Sequence, residues 1–157
     1  LRGRLDLSEV KSIRLTASEW RRTQLATGDI LIVEGHGNPN EVGRAANWDG
    51  SIENCVHQNH LIRTRPHGQR LISEYLAYFL NSQSGRRILI GNGKTTSGLN
   101  TISTGNVKAV RLPLPPLPLQ TAFAEQANRL DALARALDAA AAKADSMAAA
   151  LSAEVFG

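Results

Sequence analysis

Side chains able to read bases or hold phosphates gather in three stretches of this sequence. His36, Asn38, Asn40 and Arg44 lie in the first; His57, Gln58, Asn59, His60, Arg63 and Arg65 in the second; Lys94, Thr95 and Asn100 in the third. Arg, Asn, Gln and His carry the donors and acceptors that pair with base edges, and Arg and Lys neutralise phosphates. The candidates for DNA contact are Asn38, Arg44, His57, Asn59, Arg63, Lys94, Thr95 and Asn100. Each also has a structural reading. Gly43-Arg44 can serve as a backbone pair, the run from His57 to His60 as hydrogen-bonding groups buried in a sheet, and Thr95 to Thr101 as a braced turn.

Other chemistries find less support. His57 and His60 fall on opposite faces if the run is a strand, and no Cys or Asp pair joins them at ligand spacing. No metal site is expected. Cys55 beside His57 or His60 is a nucleophile-and-base pair that any small chain offers. Gly91-Asn92-Gly93-Lys94-Thr95 is like the end of a phosphate loop, but Ile88 stands where that motif needs its first glycine. There is no Gly-rich adenosylmethionine loop. No catalytic residue and no cofactor are expected in this chain.

Charge agrees with an anionic partner. Residues 1–111 hold 15 Lys and Arg against 9 Asp and Glu, whereas residues 112–157 hold 3 against 5. The basic excess thus sits on the first part, where it suits a polyanion or simply a soluble basic surface. The single cysteine excludes an internal disulfide and is compatible with a reducing cytoplasm. No apolar run approaches the ~20 residues that span a bilayer, and no signal peptide is visible. The opening LRGRLDLSEV reads as mid-domain, so an N-terminally truncated fragment is expected.

These side chains need elements to hold them. Residues Leu5 to Thr16 alternate loosely. A helical turn over 17–22 is capped by Thr16 or Ser18. Gly28-Asp29 turns into a strand at Ile30–Val33, and Gly35–Asn40 is a loop. Extended structure resumes over 42–48, and Asp49-Gly50 is a turn. The segment 55–62 reads as a strand with a polar centre. Leu71–Asn81 has helical spacing, and Ser84-Gly85 ends an extension of it; residues 86–90 form a helix or a strand, and 91–94 a loop. Val107, Ala109 and Val110 read as a last strand.

Pro115 and Pro116 stop the sheet, and Pro118 suits the first turn of a helix. That helix runs to about Phe156, roughly 58 Å at the usual rise per residue. Leu130, Leu133, Leu137, Ala140, Ala144, Met147 and Leu151 recur at alternating spacings of three and four. This is a coiled-coil seam. A small domain cannot cover it, so a partner helix is expected. The alternative is a solvated helix of high intrinsic propensity, given 15 alanines from Gln120 onward.

The run SGLNTISTGNVKAVRLPLPPL (Ser97 to Leu117), with Gln120 after it, resembles the end of a target-recognition domain in the specificity subunits of type I restriction–modification enzymes. GDILIVEGHGNPNEVGR (Gly28 to Arg44) and NCVHQNHLIRTRP (Asn54 to Pro66) agree with it in order and spacing. The resemblance covers nearly the whole chain; Leu119 departs from it, where an acidic residue is usual. It implies an α+β fold: a mixed-sheet target-recognition domain over 1–117, incomplete at its N-terminus, then a single long coiled-coil helix over 118–157. It implies sequence-specific recognition of double-stranded DNA, one half of a bipartite target. The helix would be spacer and docking surface for a methyltransferase (modification) subunit, which would carry S-adenosylmethionine, with a restriction subunit joined through the complex. Two half-subunits would pair as a homodimer through Leu130, Leu133, Leu137, Met147 and Leu151. The rival reading is a non-enzymatic assembly protein that oligomerises through the helix, its DNA binding incidental.

Overall fold

The computed structural model describes residues 3–67, 69–91, 94–96 and 99–156, with 94–96 and Leu99 as backbone alone. The chain divides into two compact units, Leu1–Gln120 and Thr121–Gly157.

The first unit is α+β. Helix α1 (Ala17–Thr23) starts where Thr16 and Glu19 cap each other. The Thr16 hydroxyl accepts from the Glu19 amide, and the Glu19 carboxylate accepts from the Thr16 amide at 2.8 Å. Strand β1 (Ile30–Val33) lies between β3 (Ala45–Asn47) and β4 (Leu61–Thr64), antiparallel to both. A second sheet pairs β2 (Gly35–His36) with β6 (Leu99–Thr101), and β6 with β5 (Lys94–Thr96), again antiparallel. The expectation of a mixed sheet is therefore corrected. The parallel pairing among the described residues is an isolated bridge, Gly3 to Ala46.

Alternation along β1 separates two cores. Ile30 and Ile32 join Val42, Ala45, Ile62, Ala77, Leu80, Leu89 and Ile102. Leu31 faces the other way, against Leu25 and Trp48. The larger core is covered by α2 (Ser73–Asn81) and α3 (Gln83–Gly91). Asn81 closes α2 onto the edge of the sheet: its Oδ1 accepts from the Ala45 amide at 3.1 Å, and its Nδ2 donates to the Ala45 carbonyl at 2.7 Å. The side chain thus takes the place of a further strand.

Gly85 does not end a helix as its sequence suggested. It is buried inside α3, and a Cβ there would stand 1.9 Å from the Phe79 carbonyl oxygen. No side chain fits this approach of α3 to the end of α2.

Of two expected strands, 55–62 forms only at its end, where Leu61 and Ile62 open β4, and that at 107–110 does not form. The segment 55–60 makes a single bridge, Gln24 to Val56, and then a turn before β4. Residues Thr104–Lys108 form a short helix, α4, and 109–116 are irregular. The cause is local. The Ser103 hydroxyl accepts from the Asn106 amide, and the Asn106 side chain accepts from the Ser103 amide at 2.8 Å, a reciprocal cap that starts a helix through Val107. The expected loop at 91–94 lies outside the described residues at Asn92 and Gly93.

Helix α5 runs from Leu117 to Phe156, 40 residues, with Pro118 in its first turn. Its first residues belong to the mixed unit. There Gln120 is fully buried. Its Oε1 accepts from the Ile72 amide at 3.1 Å, and its Nε2 donates to the carbonyls of Arg70 (2.8 Å) and Pro115 (2.7 Å). The second unit is the rest of this helix. Leu130, Leu133, Leu137, Met147 and Leu151 are 57–67% exposed, so the seam is uncovered among the described residues. No described helix is long and apolar enough to cross a membrane.

Candidate nucleic-acid interface

Glu34 is the hinge between the two sheets. Its amide donates to the His60 carbonyl at 3.0 Å, and its carbonyl accepts from the Ile102 amide at 2.8 Å. Three polar segments consequently meet around the C-terminal end of β1. They are the turn that follows β2 (His36 to Asn40), the turn before β4 (57–60), and the β5–β6 pair. Val33 sits opposite Leu61, His36 opposite Asn100, and Asn100 opposite Thr95. Residues far apart in sequence share one end of the fold.

The first turn is held by its own side chains. The Asn38 amide donates to His36 Nδ1 at 3.0 Å, and the Asn40 amide donates to Asn38 Oδ1 at 3.0 Å. Arg86 reaches across from α3, its Nη1 on the Val42 carbonyl (3.1 Å) and its Nη2 on the Asn40 carbonyl (3.2 Å). Gly43 takes a positive φ of 73° and donates to the Val33 carbonyl, with Leu89 packed where a Cβ would stand. Arg44 is half-buried and ion-paired with Glu41. Asn38 is exposed at the tip.

In the second turn, His57 Nδ1 lies 2.9 Å from the Gln58 carbonyl. A carbonyl only accepts, so Nδ1 carries the proton. Gln58, Asn59 and His60 are exposed. In the third segment, Asn100 is half-buried; the side chains of Lys94 and Thr95 lie outside the described ones.

Two arginines of the second stretch are held elsewhere. Arg63 stands opposite Leu31 on β4, and its Nη1 donates to the Gln24 carbonyl at the end of α1. Arg65 forks onto Asp29, Nε to Oδ1 at 2.5 Å and Nη2 to Oδ2 at 2.7 Å. Asp29 has no exposed surface. Burial pushes its pKa up, but the hydrogen bonds of Arg65 and of the Ala26 amide, with the charges of Arg65 and Arg63, outweigh burial and hold it below its ordinary value. Asp29 and Gln120 matter to the fold, and the sequence offered only weak signals for either. The buried acid followed a turn glycine, and the glutamine sat past the last proline.

Among the described residues no group of three or more His, Cys, Asp or Glu side chains is arranged to hold a metal ion. A cavity of about 530 Å³ is lined by Val10, Ile13, Trp20, Ile52, Cys55 and Val56 among others, and by none of the candidate contact residues.

No family model matches the chain. It is 29% identical over 130 residues to the type I restriction enzyme StySPI specificity subunit of Salmonella potsdam, a match that covers 82% of this chain and 28% of that protein. It is 29% identical over 140 residues to the type I restriction enzyme EcoKI specificity subunit of Escherichia coli (strain K12), covering 87% of this chain and 29% of that one. A similar protein of Methanocaldococcus jannaschii is 30% identical over 111 residues, 70% of this chain and 26% of its own length. The chain spans under a third of the length of each of these relatives. It is related in sequence to the specificity subunits of type I restriction enzymes, and matches one part of them rather than the whole.

Proposed function

We propose that this chain recognises double-stranded DNA by sequence, for a type I restriction–modification enzyme, and reads one half of a bipartite target. One observation carries the reading. Three polar segments carrying Asn and His, with Lys94 in the third, converge at the end of β1 in a chain related to specificity subunits. The candidate contacts are Asn38, His57, Asn59 and Asn100, with Lys94 and Thr95 on the β5–β6 pair. Arg44 and Arg63 act first on the fold, through Glu41 and Gln24. The +6 balance of residues 1–111 supplies attraction to phosphates.

Catalysis belongs to partners. A methyltransferase subunit carries S-adenosylmethionine and docks on the long helix, and a restriction subunit joins through the complex. The assembly works on DNA in the cytoplasm. The test is methyl transfer. Alone with S-adenosylmethionine, the chain leaves DNA unmodified; mixed with the modification subunit of its own system, it directs methylation to a defined site. Methyl transfer by the chain alone contradicts the reading.

The exposed seam of α5 supports a second reading, that the helix drives assembly. Two copies would pair their helices antiparallel, with reciprocal contacts about a two-fold axis. The seam's many alanines make it slim, so its stability depends on a partner of similar length.

A further inference from the structure

We infer that His36 reads a hydrogen-bond acceptor on a base edge, such as a purine N7, guanine O6 or thymine O4. The inference rests on the DNA reading above. His36 is exposed, at the end of β2. Its Nδ1 accepts the Asn38 amide proton at 3.0 Å. The ring proton therefore stands on Nε2, and Nε2 has no hydrogen-bond partner among the described residues. The bond to Asn38 fixes the tautomer and presents the far nitrogen as a donor.

The setting is rigid. The turn after His36 is held by Asn38 Oδ1 and by the two Arg86 bonds to the Val42 and Asn40 carbonyls. A donor so held loses little freedom on binding. Asn100 lies directly across from His36, and opposed residues of an antiparallel pair project from the same face. Thr95 continues the register on the next strand. A donor at Nε2 pairs with acceptor atoms; cytosine offers its N4 amino donor in the major groove instead. A phosphate oxygen also accepts from such a donor, but carries no sequence information, so selectivity at one base position is what distinguishes the base reading.

The rival role is that His36 only braces the turn through Nδ1. Two substitutions separate the roles. In His36→Asn the side-chain oxygen stands near the Nδ1 position and keeps the brace without the far donor. In His36→Gln the amide nitrogen stands near the Nε2 position and keeps the donor without the brace. The 157-residue chain and both variants would each select from a pool of randomised duplexes, with affinity for one fixed random duplex measured alongside. The expected result is that His36→Asn loses preference at one position of the selected sequence, roughly five- to tenfold, the scale of a base-edge contact. His36→Gln keeps that preference, and affinity for the fixed duplex holds for both. Any other pattern overturns the assignment. Loss in His36→Gln alone makes the residue a brace. Duplex binding with no selected sequence removes the base reading but leaves DNA binding standing. No duplex binding by the unaltered chain removes the parent reading as well.

Discussion

Arg65 and Asp29 form a two-pronged ion pair in which the acid is fully buried and the base is 43% exposed. The asymmetry gives a sign to the pH dependence. The folded pKa of Asp29 is below its unfolded value, so folding favours the carboxylate. That contribution is fully present above the ordinary carboxylate value, about 4. It is lost as pH falls through the lower, folded value.

Arg65→Met leaves the buried carboxylate with the Ala26 amide, and burial then raises its pKa. A loss of about 1–3 kcal/mol at neutral pH is expected, toward the lower end because Arg65 is partly in water. The loss should shrink in acid, where a protonated carboxyl is easier to bury. Urea unfolding at pH 7 and near pH 4 measures both. Equal losses at the two values contradict the ion-pair account.

Gln120 offers a different contrast. Its oxygen faces the Ile72 amide and its nitrogen faces two carbonyls. Gln120→Met strands these groups and should cost about 1–3 kcal/mol. Gln120→Glu should cost more at neutral pH, because a carboxylate would face the Arg70 and Pro115 carbonyls without a donor. The excess should diminish on acidification. If the glutamate variant is as stable as the native chain in urea at pH 7, the amide's orientation is not what holds the start of α5.

How much of this was legible in the sequence depended on range. The helical turn capped at Thr16 or Ser18, the Ile30–Val33 strand, the Leu71–Asn81 pattern and the seam from Leu130 to Leu151 are local or periodic signals, and each element formed, with Thr16 as the cap. Where two local signals competed, the stronger was missed. Val107, Ala109 and Val110 suggested a strand, but Ser103 and Asn106 capped a helix that takes in Val107 and stops at Lys108, leaving Val110 in irregular chain. Pairing between β2 and β6 joins remote segments, and no local pattern encodes it. The same limit applied to the candidate contacts. Residue type singled out Arg63 and Arg65 as readily as Asn38, yet only the fold shows that the two arginines bind Gln24 and Asp29.

The uncovered seam predicts self-association. Leu137 is mid-seam and 62% exposed. Leu137→Asp would bury a charge in any helix pair formed there and should favour monomers. Sedimentation of the native chain at high micromolar concentration is expected to show dimers, and the variant monomers. A native chain that stays monomeric would leave the modification subunit as the partner for the seam.

Binding to duplex DNA as a function of salt tests the central claim most directly. Fluorescence anisotropy of a labelled duplex titrated with the chain should show binding at low salt. Affinity should then fall linearly with salt on logarithmic axes, about tenfold or more between roughly 50 and 200 mM, as counterions are released. Lys94→Ala should weaken binding and flatten that slope by about one unit. No duplex binding at low salt, or binding indifferent to salt, would contradict DNA recognition by this chain.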